Sequence, residues 1–312
     1  MSSLYSPKDL LSRKMRSAMT PSLKHCQTLP EWTADTLPAE LYERHGTPDR
    51  QWGELRLLMG TLTLEWLDEA DQITAMFDAS VSCPLPLIPP HQAYRLTRIS
   101  EDLRCQLSLL CREEDYGHVK YGMTCTHSEV VNAFAYSNKK APLRVLDLGC
   151  GGGRNTLYMA LKGHHVTALD HNPLSLKSLA TTLHQESLDD QVNIQQVDLN
   201  QYTLSGEYDI IISTVVMMFL HPDTPARLIQ EMQAHTAPGG CHLVVAAMST
   251  DDYPCPLPFP FTFSSGELSR YYTDAGWTLE RYNEDIGELH RTDAQGNRIA
   301  LRFATLLARR PL

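Results

Sequence analysis

The spacing of apolar positions changes near the middle of the chain. From about Pro30 to Cys111, apolar and polar residues alternate in short runs: Gly53-Glu-Leu-Arg-Leu-Leu-Met-Gly60, Leu62-Thr-Leu-Glu-Trp66 and Leu103-Arg-Cys-Gln-Leu-Ser-Leu109. Period-two alternation predicts antiparallel strands with one buried face. Pro84, Pro86, Pro89 and Pro90 cannot donate to a sheet ladder, so they belong in turns or on edges. Beyond about Tyr116, apolar strands alternate with stretches of helical period. Strands are predicted near Arg144–Leu148, His165–Asp170, Asn193–Val197, Asp209–Val215 and His242–Ala247, and helices near Arg154–Lys162, Pro173–Gln185 and Thr224–Thr236. Pro173 suits a first helical turn, and Pro238-Gly239-Gly240 should stop the third helix. Strand-helix repetition of this kind predicts an α/β, doubly wound parallel sheet, closed by an antiparallel hairpin over Thr278–Asn283 and Arg298–Leu307. The acidic break Glu113-Glu-Asp115 sets the domain boundary, giving a basic tail (1–29), a small β domain (30–112) and an α/β domain (113–312).

Composition narrows the class of partner. At 312 residues the chain has room for two domains, and a formal net charge of -10 argues against a nucleic-acid backbone as partner. The longest apolar run, Ile210–Leu220, is too short for the roughly 20 residues of a membrane span. The basic residues of 1–29 lack the apolar centre of a secretory signal. Eight scattered cysteines, with no CxxC pair, read as reduced thiols of a cytoplasmic protein. Only His45 and His91 offer imidazoles in the β domain, so no metal is expected there.

The chemistry centres on Val145-Leu-Asp-Leu-Gly-Cys-Gly-Gly-Gly-Arg-Asn155, a buried strand running into a glycine turn and then a helix. Its glycines fit GxGxG; Arg154 stands where a dinucleotide-binding turn has its third glycine, which disfavours pyrophosphate. An adenosyl-sulfonium ligand carries no phosphate, and Arg154 is then placed to meet its carboxylate. Asp170, at the end of the next strand, can accept both ribose hydroxyls, with Asn172 just beyond it. Asp198 and Leu199 follow the third strand, where a carboxylate can accept from an adenine amino group. Thr214, in Ser213-Thr-Val-Val216, closes the pocket at the fourth. Together with Gly149, Cys150, Gly151 and Gly153 these residues are the candidate site for S-adenosylmethionine, with Cys150 read as a structural thiol.

Several stretches go beyond these general motifs. Thr126-His-Ser-Glu-Val130, Leu146-Asp-Leu-Gly-Cys-Gly151, Gly153-Arg-Asn155, Ser213-Thr-Val-Val-Met217, Val244-Val-Ala-Ala-Met248, Asp252-Tyr-Pro-Cys255 and Glu284-Asp-Ile-Gly-Glu-Leu-His-Arg-Thr-Asp293 resemble the bacterial TehB family of tellurite methyltransferases. The last two are the specific ones. The resemblance spans about Tyr116–Arg310, and the first part resembles the cupin-like domain of the longer members. It implies a Rossmann-like class I methyltransferase with an N-terminal all-β cupin-like domain. The implied reaction moves a methyl group from S-adenosylmethionine to a small oxyanion, tellurite or a selenium analogue, leaving S-adenosylhomocysteine. By motif, His290, Arg291 and Arg298 are the implied catalytic residues. The β domain would serve homodimer contacts or substrate capture. The generic cofactor motifs also admit another small acceptor, such as a thiol or thiopurine, or a non-catalytic sensor. Tyr253–Phe263, aromatic and proline-rich, suits a substrate lid or core filling equally well.

Overall fold

Alternation in the first part builds two four-stranded antiparallel sheets in the computed structural model, which describes residues 22–135, 142–292 and 295–312, the side chains of Ala135, His290 and Arg291 excepted. The strands are β1 (Leu23–Thr28), β2 (Trp32–Thr33), β3 (His45–Gly46), β4 (Gln51–Met59), β5 (Thr61–Leu67), β6 (Ile73–Ser80), β7 (Ala93–Thr97) and β8 (Arg104–Arg112). In one sheet β8 pairs with β4 along most of its length and with β1 and β2 at its two ends; the other runs β3-β7-β5-β6. Every second residue faces inward, so Leu55 and Leu57 of β4 and Cys105 and Leu107 of β8 share a core with Leu62, Leu64 and Leu96. These two sheets are compatible with a cupin-like domain.

Two boundaries differ from expectation. Leu23–Thr28 is an edge strand rather than part of a tail, and its polar composition hid its pairing with β8. A bulge at Cys26 interrupts that pairing and brings its Sγ to 2.8 Å from Cys111 Sγ, both as free thiols. The division into compact units falls at Gly122/Met123, later than the acidic break. Helix α1 (Tyr116–Tyr121) packs on β1 and β8 and ends at Gly122, whose left-handed backbone lets its N–H reach the His118 carbonyl.

The second unit contains α2 (Ser128–Ala135), β9 (Arg144–Leu148), α3 (Arg154–Leu161), β10 (His165–Asp170), α4 (Pro173–Gln185), β11 (Val192–Gln196), β12 (Tyr208–Thr214), α5 (Thr224–Ala234), β13 (Thr236–Ala247), α6 (Glu267–Thr273), β14 (Thr278–Thr292) and β15 (Arg298–Arg309). Its seven strands run β11-β10-β9-β12-β13-β15-β14, parallel except for antiparallel β15. Strand order reverses beside β9, so the carboxyl ends of β9, β10 and β12 open a crevice, the usual ligand position in such sheets. The core joins Leu146 and Leu148 of β9 to Ile211, Val244 and Leu306. Pro238-Gly-Gly240 sits inside the bulged start of β13, after the helix has already ended at Ala234; Gly239 supplies a left-handed residue there. Among the described residues no helix is long and apolar enough to cross a membrane.

His242 is fully buried on β13, between Thr236 Oγ1 (2.6 Å from Nε2) and the Tyr272 hydroxyl (3.0 Å from Nδ1), with Trp277 against its ring. Burial disfavours the imidazolium and holds its pKa down at about 3. A depressed folded-state pKa contributes stability that is complete above the unfolded value near 6.5 and is lost as pH falls toward 3. Urea unfolding of wild type and His242→Gln across this range should show the stability difference shrinking with acidity, by up to about 1.4 kcal/mol per pH unit; a difference independent of pH would contradict the buried, neutral imidazole.

Candidate active site

Strand β9 has no solvated face: Val145, Leu146, Asp147 and Leu148 are all buried. The Asp147 carboxylate accepts from Thr156 Oγ1 at 2.6 Å, and burial pushes its pKa up to about 7. Sequence reasoning passed over this residue, although a carboxylate within a buried apolar strand is itself a signal. The turn that follows uses left-handed backbone at Gly149 (φ 66°), Gly151 (φ 53°) and Gly153 (φ 84°). Their reasons differ. A Cβ at Gly149 would lie 2.4 Å from Val216 Cγ2, and one at Gly153 2.2 Å from Leu179 Cδ1; at Gly151 and Gly152 it would meet nothing within 4 Å. The outer glycines are therefore required by packing, while the middle pair borders open space.

Gly151 borders a cavity of about 600 Å³ at the strand ends, lined also by Gly149, Asp170, Asn172, Asp198 and Leu199 together with Val215, Val216 and Phe219. Asp170, nearly buried, accepts from the Gly151 N–H through Oδ2 and from the Asn172 N–H through Oδ1, each at 2.8 Å. Asn172 caps α4 by accepting from the Leu174 N–H. Asp198 accepts from the backbone and side-chain N–H groups of Asn200, both at 2.9 Å; the backbone bond above all keeps its carboxyl below the usual range.

Four expected residues lie elsewhere. Cys150 is buried under the turn, its N–H on the Leu169 carbonyl and its thiol pKa raised by burial. Gly153 packs on Leu179. The Thr214 hydroxyl accepts from Asn155 Nδ2 at 3.1 Å. None of these three is among the residues lining the cavity. Arg154 turns to a neighbouring space, its Nη1 donating to the Cys125 carbonyl at 3.3 Å.

The neighbouring space, about 470 Å³, shares Val215 and Phe219 with the first. Val215 has φ 62°, a conformation that strains a β-branched residue, and its N–H is fixed on the Val245 carbonyl at 2.7 Å. The strain sits at the junction of the two cavities. Leu257 and Phe259 line the second cavity, while Phe263 is fully buried, so Tyr253–Phe263 divides into a wall and a core anchor. Its root is tied to β15: Arg302 donates to Asp252 Oδ1 at 2.8 Å and stacks over Tyr253. Just before α2, His127 Nδ1 accepts from the Glu129 N–H, and Glu129 pairs with Arg281. Arg298 is exposed, 3.8 Å from Glu288, and lines neither cavity. The His290 and Arg291 side chains lie outside the described residues.

Known families match both parts of the chain. The family "Tellurite resistance protein TehB" matches residues 109–307, and "TehB-like domain" matches 27–107. The chain belongs to the TehB family. It is 44% identical over 282 residues to the "Probable S-adenosyl-L-methionine-dependent methyltransferase TehB" of Haemophilus influenzae (strain 10810), covering 90% of this chain and 96% of that one. The crystal structure of TehB from Haemophilus influenzae matches with a TM-score of 0.87 at 43% identity, over 94% of this chain and all of that one. "Hemagglutinin 1" of Eikenella corrodens is 42% identical over 222 residues, 71% of this chain and 72% of its own.

The TehB glycine turn carries its own test. Gly153→Ala combines a left-handed backbone with a clash against Leu179 and should lower unfolding stability by about 2–3 kcal/mol. Gly152→Ala, with ordinary φ and open space, should change it by less than about 0.5 kcal/mol. Equal losses in urea unfolding would show that the two glycines are not separated by packing.

Proposed function

We infer that this chain is an S-adenosylmethionine-dependent methyltransferase and that its acceptor is tellurite. The observation that carries the cofactor reading is the meeting of Gly151, Asp170 and Asp198, from three neighbouring strand ends, on one cavity. The described lining includes two carboxylates and no Lys or Arg, which suits a ligand with sulfonium and ammonium charges and opposes a pyrophosphate. Open space in front of Gly151 leaves the backbone accessible to the amino-acid end. Asp170, already oriented by two N–H groups, keeps lone pairs for the ribose hydroxyls, and Asp198 with Leu199 meets the adenine. When bound, the cofactor supplies a methyl group on positively charged sulfur, activated toward a lone pair. The protein's share is positioning: Val215 and Phe219, common to both cavities, mark where donor and acceptor meet.

Tellurite as acceptor rests on the family description and on the hairpin motif that contains His290, Arg291 and Arg298. Arg291 and Arg298 bring planar, permanently charged groups suited to two oxyanion oxygens, and His290 brings an imidazole for proton exchange with a third. The tellurium lone pair is then free to take the methyl group, leaving S-adenosylhomocysteine.

Two measurements separate cofactor from acceptor. Asp170→Ala should weaken S-adenosylhomocysteine binding by about tenfold or more in isothermal titration. Arg291→Ala and Arg298→Ala should leave that affinity unchanged and reduce tellurite-dependent product formation by about a hundredfold. Intact binding without turnover of tellurite or selenite by the wild-type chain would remove the oxyanion and keep the methyltransferase.

A further inference from the structure

Cys26 has no opposite residue in the β1–β8 ladder. On either side of it His25 faces Leu110 and Gln27 faces Leu109, while Cys111 faces Lys24, so the bulge leaves Cys26 outside the register and able to turn along the sheet. Its thiol donates to Cys111 Sγ at 2.8 Å, between residues 85 apart in the chain. That separation is within about 1 Å of the roughly 2.05 Å of a disulfide bond, a distance side-chain adjustment can close.

The two sulfurs are not equivalent. Cys26 is half-buried and Cys111 fully buried. Lys24 Nζ lies 4.9 Å and Lys120 Nζ 5.1 Å from the centre of the Tyr116 ring, which gathers two ammonium groups where α1 packs on β1. The hydrogen bond to Cys111 above all, with Lys120 and Lys24 behind it, holds the Cys26 thiol below its usual range against the opposing effect of burial. The same hydrogen bond, followed by burial, pushes the Cys111 thiol up. One sulfur is thus partly exposed and disposed to ionise, and the other stays a thiol behind it.

We propose that Cys26 and Cys111 form a redox-active dithiol, Cys26 attacking and Cys111 resolving, whose oxidation by a peroxide fastens the edge strand β1 to β8. Neither cofactor nor acceptor enters this inference. The Cys26 thiolate attacks one peroxide oxygen; the oxygen–oxygen bond breaks, its electron pair leaves on the second oxygen, which takes a proton to give water, and Cys26 becomes a sulfenic acid. Cys111 gives up its proton and attacks the Cys26 sulfur. The sulfur–oxygen bond breaks, and the departing hydroxide takes that proton as a second water. The thiols lose two electrons and the peroxide gains them, and a small thiol reverses the step by exchange. The consequence is mechanical, because β1 is an edge strand whose ladder runs along β8 and a link at its bulge opposes its opening.

The test uses the full chain, reduced and then treated with hydrogen peroxide. Peptide mapping should recover Cys26 linked to Cys111, and the β1 amides should exchange at least about tenfold more slowly in the oxidised chain than in the reduced one. Cys111→Ser should lose the link and leave Cys26 as a sulfenic acid trapped by dimedone, about tenfold more heavily labelled than exposed Cys83. Cys26→Ser should leave Cys111 unoxidised, with hydrogen exchange in the other strands of the β domain reporting that each variant is folded. Should Cys111→Ser not fold, mapping of the wild type and of Cys26→Ser decides alone. Oxidation that takes Cys83 and spares Cys26, or that links Cys26 to another cysteine, overturns the proposal, as does a linked chain whose β1 exchanges as fast as the reduced one.

Discussion

Two backbone N–H groups, those of Gly151 and Asn172, converge on the carboxylate of Asp170 at 2.8 Å each, and through them one side chain links the glycine turn, the end of β10 and the start of α4. Two separate stretches of sequence, the glycine turn and the β10–α4 connection, thereby share one carboxylate. The link depends on the fold, because β10 lies against β9 in parallel register and delivers Asp170 beside the turn. It depends on composition as well: Gly149 leaves room for Val216 and Gly153 for Leu179, so the turn can approach β10 closely enough for the Gly151 N–H to reach. Hydrogen bonds from fixed backbone donors hold the carboxylate at a set angle, leaving its outward lone pairs for a diol.

The two cavities meet at Val215 and differ in what they ask of a ligand. The first offers Asp170 and Asp198 with open backbone at Gly151, an acceptor-rich surface for a cationic, hydroxyl-bearing cofactor. The second is walled by aromatic and aliphatic groups. A left-handed valine is an expensive way to end a strand, and its persistence requires surroundings that over-determine it; the bond to Val245 is one such constraint. The strained residue stands at the junction of the two cavities, where the proposed function has the methyl group pass from donor to acceptor. In a displacement whose main requirement is alignment, a rigid junction between donor and acceptor is worth more than additional polar groups.

Much of this was legible in the sequence, and the exceptions have physical causes. β9, β10 and α4 fall where periodicity and Pro173 put them, because buried strands and capped helices carry strong local signals. The strand-end logic also brought Gly149, Gly151, Asp170, Asn172, Asp198 and Leu199 to one cavity. A glycine motif cannot distinguish a glycine needed by a ligand from one needed by a neighbouring leucine, so the packing of Gly153 on Leu179 was not legible in it. The direction of Arg154 is set by the Cys125 carbonyl, 29 residues earlier in the chain, which no local pattern encodes. β1 escaped notice because an edge strand needs little apolar sequence to pair. The lid-or-core choice for Tyr253–Phe263 had no answer in composition, because the segment divides into a cavity wall at Leu257 and Phe259 and a core anchor at Phe263.

Burial of ionisable groups adds a constraint that neither cavity reveals alone. Asp147, beneath the glycine turn, has its pKa raised from 3.8 to about 7 by desolvation, so its contribution to stability is full below 3.8 and is lost as pH rises through 7. His242, at the other side of the core, has the opposite sign over a window that overlaps it. Between about pH 4 and 6.5 the two slopes oppose each other, so their contributions to the pH dependence of stability partly cancel. The cancellation holds only for global stability. Locally the Asp147 proton bears on the strand that ends in the cofactor turn, and a neutral Asp147 removes one negative charge from the neighbourhood of Asp170, which adds to its upward shift. Below its raised pKa the carboxylate behind the turn is spared ionisation in the core.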